Sequence, residues 1–432
     1  MSIKEKLARL DTASKPIEIK PHEDHSWIAN VESELQVKVI RENNSFFLLR
    51  EKYFPIFNDE HLQILSGDFE IGRFAKICGI DSKNKLDFKN AIFIDLETTG
   101  LAGGTGTYAF LIGLGHLELN NIVVRQYLLP DFNQEWLMLK YVDHAIQNFE
   151  YMATFNGKSF DIPLLTNRFI LNRMDTSLED KEHLDLLHAC RRIWKLRLPS
   201  CDLQSLENSI LGQNRVGDIP GDIIPALYFE FIRKRQAHIL FDVLEHNFYD
   251  IVNLILLSLE LSEISEDPVN HLNHPEDLFC LANFFHNNNH FDESIPLLER
   301  VFLLPKNINH DLELRAFFLL GMAHKKMGNT EASKRYLWEL LDRQHFHPNV
   351  VEELSKFYEH QDKDFSTAKE IVEKGLQYLT TIQQLDSNNV ILKFIPRLRH
   401  REKRLLKKMA ASQTSERHIR DEVSDEKPHL IK

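Results

Sequence analysis

Apolar and polar positions divide the chain into stretches of different character. Residues 1–90 mix charges with short apolar runs such as Ser45-Phe46-Phe47-Leu48-Leu49 and hold no sustained period, so they read as an extension without an assigned fold. From Ala91 the pattern sharpens. Ala91-Ile92-Phe93-Ile94 is a continuous apolar run of the buried-strand kind, and TYAFLIGLGHLEL followed by IVVRQYLLP reads as two strands joined at Asn120-Asn121. Three strands in succession predict an antiparallel start to a sheet. QEWLMLKYVDHAIQNF then takes helical spacing, YMATF is strand-like, LLTNRFILNRM is helical, and HILFDVLEHNFYDIVNLILLSLEL forms a long helix near 240–261. Strands alternating with helices over 91–262 predict an α/β layer fold.

The polar stretch SEISEDPVNHLNHPED, with Pro268 and Pro275 as breakers, predicts a linker over 263–275. Beyond it, over 276–395, the pattern is helical and weakly repetitive. Leu281-Ala282 with Phe285 and Ser294 matches Leu320-Gly321 with His324 and Ser333, twelve positions separating the small residues in each. Leu354-Ser355 with Tyr358 and Ala368 fits with one residue inserted. Spacings of 39 and 34 between the units resemble tetratricopeptide repeats of about 34 residues, in which small residues let paired helices approach. A generic helical bundle is the plainer alternative. The final segment, 396–432, opens with seven basic residues and one acid between Arg397 and Lys408. Such a run is either a solvated helix face or a surface for a phosphate backbone, and the remainder, from Ala410, reads as disordered.

At 432 residues, 43% hydrophobic and 27% charged, the chain is long enough for two folded domains, and collagen-like or wholly disordered classes are excluded. Its net charge of −12 gives no global attraction to a polyanion, so a nucleic-acid contact has to come from a local basic surface or from bound metal. Cys78, Cys190, Cys201 and Cys280 are separated by 112, 11 and 79 positions, which matches neither a zinc pattern nor a disulfide framework. They are expected as buried thiols in a reducing compartment. The opening MSIKEKLARLDTASK carries charges where a signal peptide needs apolar residues, and no run approaches the ~18 apolar residues of a membrane span. A soluble, cytoplasmic protein is expected.

The candidate chemistry lies at strand ends. In AIFIDLETTG, strand alternation puts Asp95 and Glu97 on one face at the end of an otherwise buried strand. Two carboxylates there repel each other and are costly unless a cation sits between them, which suits hard divalent ions such as Mg²⁺ or Mn²⁺. Taken alone, such a pair is also a common surface feature. In ATFNGKSFD a second apolar strand runs into a polar loop ending at Asp161, whose plainer reading is a cap for the helix that Pro163 helps to start. His246 and Asp250, four apart, share a face of the long helix, an arrangement that in isolation is more often a surface hydrogen bond.

In their order and distance, DLE, NGKSFD and HNFYD resemble the three exonuclease motifs of the DEDD superfamily, nucleases with a ribonuclease H-like fold. HLDLLHACRRIWKLRLPSCDLQSLENSILG and GDIPGDIIPALYFEF are similar to its YprB-like branch. With GLAGGTGTYAFLIGLG and the C-terminal repeats added, the chain resembles the mitomycin repair factor B exonucleases, strongly over 91–262 and loosely over the repeats. The resemblance implies a ribonuclease H-like mixed sheet with flanking helices, followed by an all-α tetratricopeptide-like domain. It implies Asp95, Glu97, Asp161 and Asp250 as ligands of two divalent ions, Mg²⁺ or Mn²⁺, His246 as general base, and Thr98, Gly100 and Asn156 beside the substrate end. Three residues separate His246 from Asp250, the spacing of the branch that usually has Tyr in the first place; members with His usually have four. The activity implied is two-metal hydrolysis of DNA from 3′ ends, in DNA repair, with a protein partner such as a helicase on the repeats.

Other residues invite weaker readings. Gly100, Gly103, Gly104 and Gly106 are not followed by Lys-Ser/Thr, so a turn beside the metals is expected instead of a phosphate-cradling loop. His183, Asp185 and His188 fall in a helix-like stretch, where a supporting role is favoured over metal ligation. Arg191, Arg192, Lys195 and Arg197 line either a backbone-tracking surface or plain solvent. Two rivals stand beside the DNA exonuclease. One is an RNA exonuclease or an endonuclease of the same fold, since the motif residues do not read the 2′-OH. The other is a non-catalytic scaffold, which has no physical need for five converging polar groups.

Overall fold

The computed structural model of the protein describes residues 27–56, 72–80, 88–100, 106–215, 217–304 and 308–425, with side chains as far as 414. The opening segment 1–26, Gly103, Gly104 and residues 426–432 lie outside the described residues. Seven strands form one mixed sheet: β1 (Lys38–Glu42), β2 (Ser45–Pro55), β3 (Ala91–Thr98), β4 (Ala109–Glu118), β5 (Asn121–Leu128), β6 (Tyr151–Thr154) and β7 (Glu182–Asp185). Their spatial order is β1-β2-β5-β4-β3-β6-β7. β3, β4 and β5 make the antiparallel meander read from the apolar runs, and β6 and β7 continue the sheet in parallel beside β3.

The hairpin β1–β2 joins β5 antiparallel, so the region read as an extension supplies two of the seven strands. Phe46, Phe47 and Leu48 are buried in succession, which erases the period of two that would mark a strand. His183 and Asp185 likewise lie on β7 and not in a helix, which begins only at Leu186.

The helices of this layer include α1 (Ile28–Leu35), α2 (Glu135–Gln147), α3 (Asp161–Leu171), α4 (Ile224–Lys234) and α5 (Phe241–Glu266). Ile92, Ile94 and Leu96 of β3 join Ile112, Leu137, Val142, Phe169 and Phe231 in one core. The alternate residues of β3 face α5. That helix lies unusually close to β4 because Gly113 and Gly115 lack side chains: a Cβ on Gly113 would sit 2.5 Å from the Asn247 amide, and one on Gly115 would collide with Ile251. α3 is pinned to α2 by a buried pair in which Arg168 makes two bonds of 2.6 Å to Glu135. α5 runs on to Glu266 and is followed by a short helix, Pro268–His271, so the predicted linker begins inside a helix.

A second compact unit comprises Arg192–Arg197 and the chain from Pro268 onward. It contains α6 (Pro275–Asn287), α7 (Phe291–Leu303), α8 (His310–Lys326), α9 (Thr330–Asp342), α10 (Pro348–His360), α11 (Phe365–Leu385) and α12 (Ile395–Asp425). Successive helices pack as the pairs α6/α7, α8/α9 and α10/α11. The first two pairs share one bond between the small residues twelve apart: buried Ser294 donates to the Ala282 carbonyl at 2.8 Å, and buried Ser333 to that of Gly321 at 2.6 Å. In the third, Ser355 bonds to Glu352 in its own helix, and the close approach is made by Gly375 against Val351. Arg197 makes two bonds to Asp277, at 2.8 and 2.9 Å, and Arg192 lies over the Phe284 ring, so these two cations serve packing.

Part of the basic run in α12 is taken up by packing, while Arg399, Lys403 and Lys407 stay exposed. Leu398 and Leu405 are buried, Arg397 pairs with Glu352 at 2.8 Å, and Arg401, Arg404 and Lys408 converge on buried Glu359 at 2.6, 2.5 and 2.9 Å. The run is one side of a docked helix, and the stretch from Ala410, expected to be disordered, continues that helix to Asp425. Burial acts to raise the Glu359 carboxyl, but the bonds from Arg404 and Lys408 and the charge of Arg401 outweigh it and hold the group at about 2. Its pKa in the fold is thus below the unfolded value of 4.5, so its stabilisation is complete above that pH and is lost as pH falls toward about 2. Glu359→Gln should cost about 2 kcal/mol at neutral pH. Urea denaturation should find that difference shrinking once the pH drops below the unfolded value.

Candidate active site

β3, an interior strand between β4 and β6, carries two acids at its C-terminal end. Asp95 and Glu97 alternate onto the α5 face, and the register with β4 shifts between Glu97 and Thr98, turning the strand out of its ladder just beyond them. Thr98 then donates its hydroxyl to the Gly100 carbonyl at 3.1 Å. Asp95 belongs to a cross-strand row, Arg50–Gln126–Gly113–Asp95, with one residue each from β2, β5, β4 and β3. The glycine leaves a gap in that row, and Asn247 of α5 fills it. Its Nδ2 donates to Asp95 Oδ2 at 2.7 Å, while its Oδ1 accepts from Gln126 at 2.9 Å.

Asp161 opens α3 after the loop of the second motif. Asn156 takes a left-handed φ of 63°, and Asp185, fully buried on β7, accepts from the main-chain amides of Asn156 and Lys158 at 2.8 and 3.2 Å. His183 bonds to the Thr154 hydroxyl at 2.7 Å, and burial pushes its imidazole down to about 4, so it stays neutral. His183 and Asp185 therefore shape the loop that delivers Asp161, and His188 is exposed.

α5 delivers the other two side chains. His246 Nε2 lies 3.3 Å from Asp250 Oδ2 and 3.9 Å from Glu97 Oε1, and the three residues present ligand atoms within 4.8 Å of one another. On the other side of the ring, Nδ1 lies 2.8 Å from Asp218 Oδ1. Arg215 binds Asp250 at 2.5 Å and forms an ion pair with buried Glu207. Burial, then repulsion from Asp250 and Asp161, holds Asp95 well above the ordinary carboxylate range, and burial with repulsion from Asp95 does the same to Glu97. Burial raises Asp161 to about 6.

Residues 92–262 match the RNase H superfamily. Over 415 residues the chain is 30% identical to the uncharacterized protein YprB of Bacillus subtilis (strain 168), which spans 90% of this chain and 97% of YprB. The chain belongs to the YprB family. Its first unit is accordingly a ribonuclease H-like, nuclease-like domain and its second an all-α region, and proteins of this superfamily are generally phosphodiester hydrolases that use divalent metals. Among the described residues no helix is long and apolar enough to cross a membrane. Cys78, Cys190 and Cys280 are buried, Cys201 is half-buried, and none of the four is in a disulfide.

The donor set of this YprB-family chain fits a hard divalent ion. Carboxylate oxygens from β3, α3 and α5 gather with one imidazole nitrogen; burial raises their pKa values first, with mutual repulsion adding to it at Asp95 and Glu97, and a cation would relieve both. Asn247, Glu207, Arg215 and Asp218 also belong to the site and were not singled out by the motifs. Asn247 leaves a trace in the sequence, a polar residue on the sheet-facing side of an otherwise apolar helix. Arg215 and Asp218 sit in the loop RVGDIPGD, whose spacing carries no signal of its own.

Two consequences can be measured. A carboxyl raised from 3.8 to about 6 costs stability as pH rises through that window, so removing its charge should stabilise the metal-free fold at neutral pH. Asp161→Asn should gain about 1–3 kcal/mol in EDTA; a thermal midpoint below that of wild type would contradict the account of Asp161 as a carboxylate penalised by burial. Gly113→Ala should displace Asn247 and cost about 1–3 kcal/mol, read by chemical denaturation.

Proposed function

We propose that the chain is a divalent-metal-dependent exonuclease that hydrolyses DNA from 3′ ends and works in DNA repair in the cytoplasm. The observation that carries this reading is the convergence of Asp95, Glu97, Asp161 and Asp250, from three separate elements, with His246 at the end of β3. Asp95, Glu97, Asp161 and Asp250 would hold two Mg²⁺ or Mn²⁺ ions, which when bound polarise the scissile phosphate and offset the charge growing on the leaving 3′ oxygen.

The remaining work falls to the chain itself. His246 Nε2 takes a proton from the attacking water, whose oxygen bonds to phosphorus as the bond to the 3′ oxygen breaks; that oxygen then takes a proton from solvent. The oxygens of Asp250 and Glu97, 3.3 and 3.9 Å from Nε2, are acceptors that orient the water beside the ring. Asn247 keeps the Asp95 carboxylate in a single orientation through its 2.7 Å bond. Thr98 at the last position of β3, Gly100 just beyond it and Asn156 in the loop after β6 are assigned the contacts to the terminal nucleotide. The paired helices of the second unit are read as a tetratricopeptide-like docking module for a protein partner, and the resemblance points to a helicase.

The test is degradation of 3′- and 5′-labelled single- and double-stranded DNA, with RNA alongside, in Mn²⁺, Mg²⁺ or EDTA. Stepwise shortening from the 3′ end that needs metal and disappears in Asp95→Ala and Asp161→Ala is the expected result. Cleavage of RNA alone, or internal cleavage, would replace the substrate class or the mode of attack. No hydrolysis of any substrate, together with no divalent-ion binding by calorimetry, would leave a scaffold.

A further inference from the structure

We propose that Asp218 is a positioning residue for His246, fixing the imidazole with its proton on Nδ1 so that Nε2 presents its lone pair to the acid cluster. Its effect on turnover rests on the nuclease reading above; the tautomer does not.

Asp218 lies in the loop between the helix Leu203–Ser209 and α4, with Oδ1 2.8 Å from Nδ1 of His246. The same oxygen accepts the main-chain N–H of Ile219 at 3.0 Å, and Oδ2 lies 3.4 Å from Arg215 Nη1. A carboxylate that receives donors on both oxygens is an acceptor, so the ring nitrogen facing it has to donate. Arg215 holds this loop against α5, through its 2.5 Å bond to Asp250 and a 3.4 Å contact with the His246 carbonyl, and its pair with Glu207 ties it to the preceding helix. The His246 and Asp218 side chains are only 17% and 16% exposed, so water competes weakly for the ring proton.

The far side of the ring makes the assignment matter. Nε2, Asp250 Oδ2 and Glu97 Oε1 face one another across 3.3 and 3.9 Å. With the proton on Nε2, the ring would donate to Asp250 and could take nothing from a water. With the proton on Nδ1, three acceptors surround one point, an arrangement that favours a water O–H or a cation there. A carboxylate behind the ring is a general means of choosing between the two tautomers. It also gives the short spacing of His246 and Asp250 a physical account: one helical turn sets Nε2 against Asp250, and Asp218 draws the proton to the opposite side.

The experiment reads the ring ¹⁵N shifts of His246 in metal-free, histidine-labelled full-length protein, under conditions where the ring is neutral, with His246→Gln identifying the signal. Wild type should carry its proton on Nδ1. Asp218→Ala should move it to Nε2 and lower kcat about 10- to 100-fold, with KM and Mn²⁺ affinity unchanged, and Asp218→Glu should restore part of both. Asp218→Leu fills the space without an acceptor and is read in the same way should Asp218→Ala not fold. A wild-type ring protonated on Nε2, or a tautomer that stays put in the variants, overturns the proposal. Wild type without hydrolysis but with the expected shifts leaves the positioning role standing and removes the nuclease reading instead.

Discussion

The arrangement depends on one missing side chain. Gly113 stands between Gln126 and Asp95 in a row that crosses four strands, and its bare Cα lets α5 come down until Asn247 occupies the place a side chain would take. The amide of Asn247 then joins β5 to β3 by hydrogen bonds to Gln126 and Asp95. Since His246 and Asp250 are on the same helix, its depth and rotation are set at the point where Asn247 is seated. A buried amide of this kind has only one well-satisfied position, so it specifies geometry where apolar contacts would tolerate sliding.

Against that fixed frame the acids are held in an unfavourable state. Asp95 and Glu97 are carried on a strand whose apolar residues demand burial, and Asp161 is carried on a helix locked by the Arg168–Glu135 pair. Backbone and core packing, with no contribution from the acids themselves, force the carboxylates together. Arg215 offsets part of the charge from one side only, at Asp250, Glu207 and Asp218. Local instability of this sort is what a site built for cations has to carry when the surrounding structure is rigid enough to bear it.

Much of this was legible in the chain. AIFI followed by Asp95 and Glu97 states both the buried strand and the shared face of its acids, because a period of two needs no knowledge of neighbours. The meander followed in the same way from the runs on either side of Asn120-Asn121. The hairpin β1–β2 did not, since consecutive buried residues at Phe46–Leu48 look the same whether they enter a strand or a loop. α12 was hidden by composition: Leu398 and Leu405 are spaced for one helix face, but seven cations in twelve positions outweigh two leucines until Glu359 is known to lie opposite. Asn247 and Asp218 fall inside quoted motifs, but their contacts are further out of reach, because the partners lie 152 and 28 positions away.

The distribution of charge ties these parts together. The chain carries −12, and several cations of its two basic runs are committed elsewhere: Arg192 and Arg197 to packing of the helical unit, and Arg397, Arg401, Arg404 and Lys408 to the docking of α12. A phosphate backbone approaching the end of β3 meets carboxylates first. Under the proposed function, the attraction there comes from the cations those carboxylates collect, so metal binding and substrate binding are coupled through the same oxygens. Such coupling is reciprocal by thermodynamic necessity: whatever factor the ions add to affinity for the phosphate, the phosphate adds to affinity for the ions. The crowding that destabilises the metal-free cluster and the recognition of an anionic substrate by an acidic protein are then two consequences of one placement of charge.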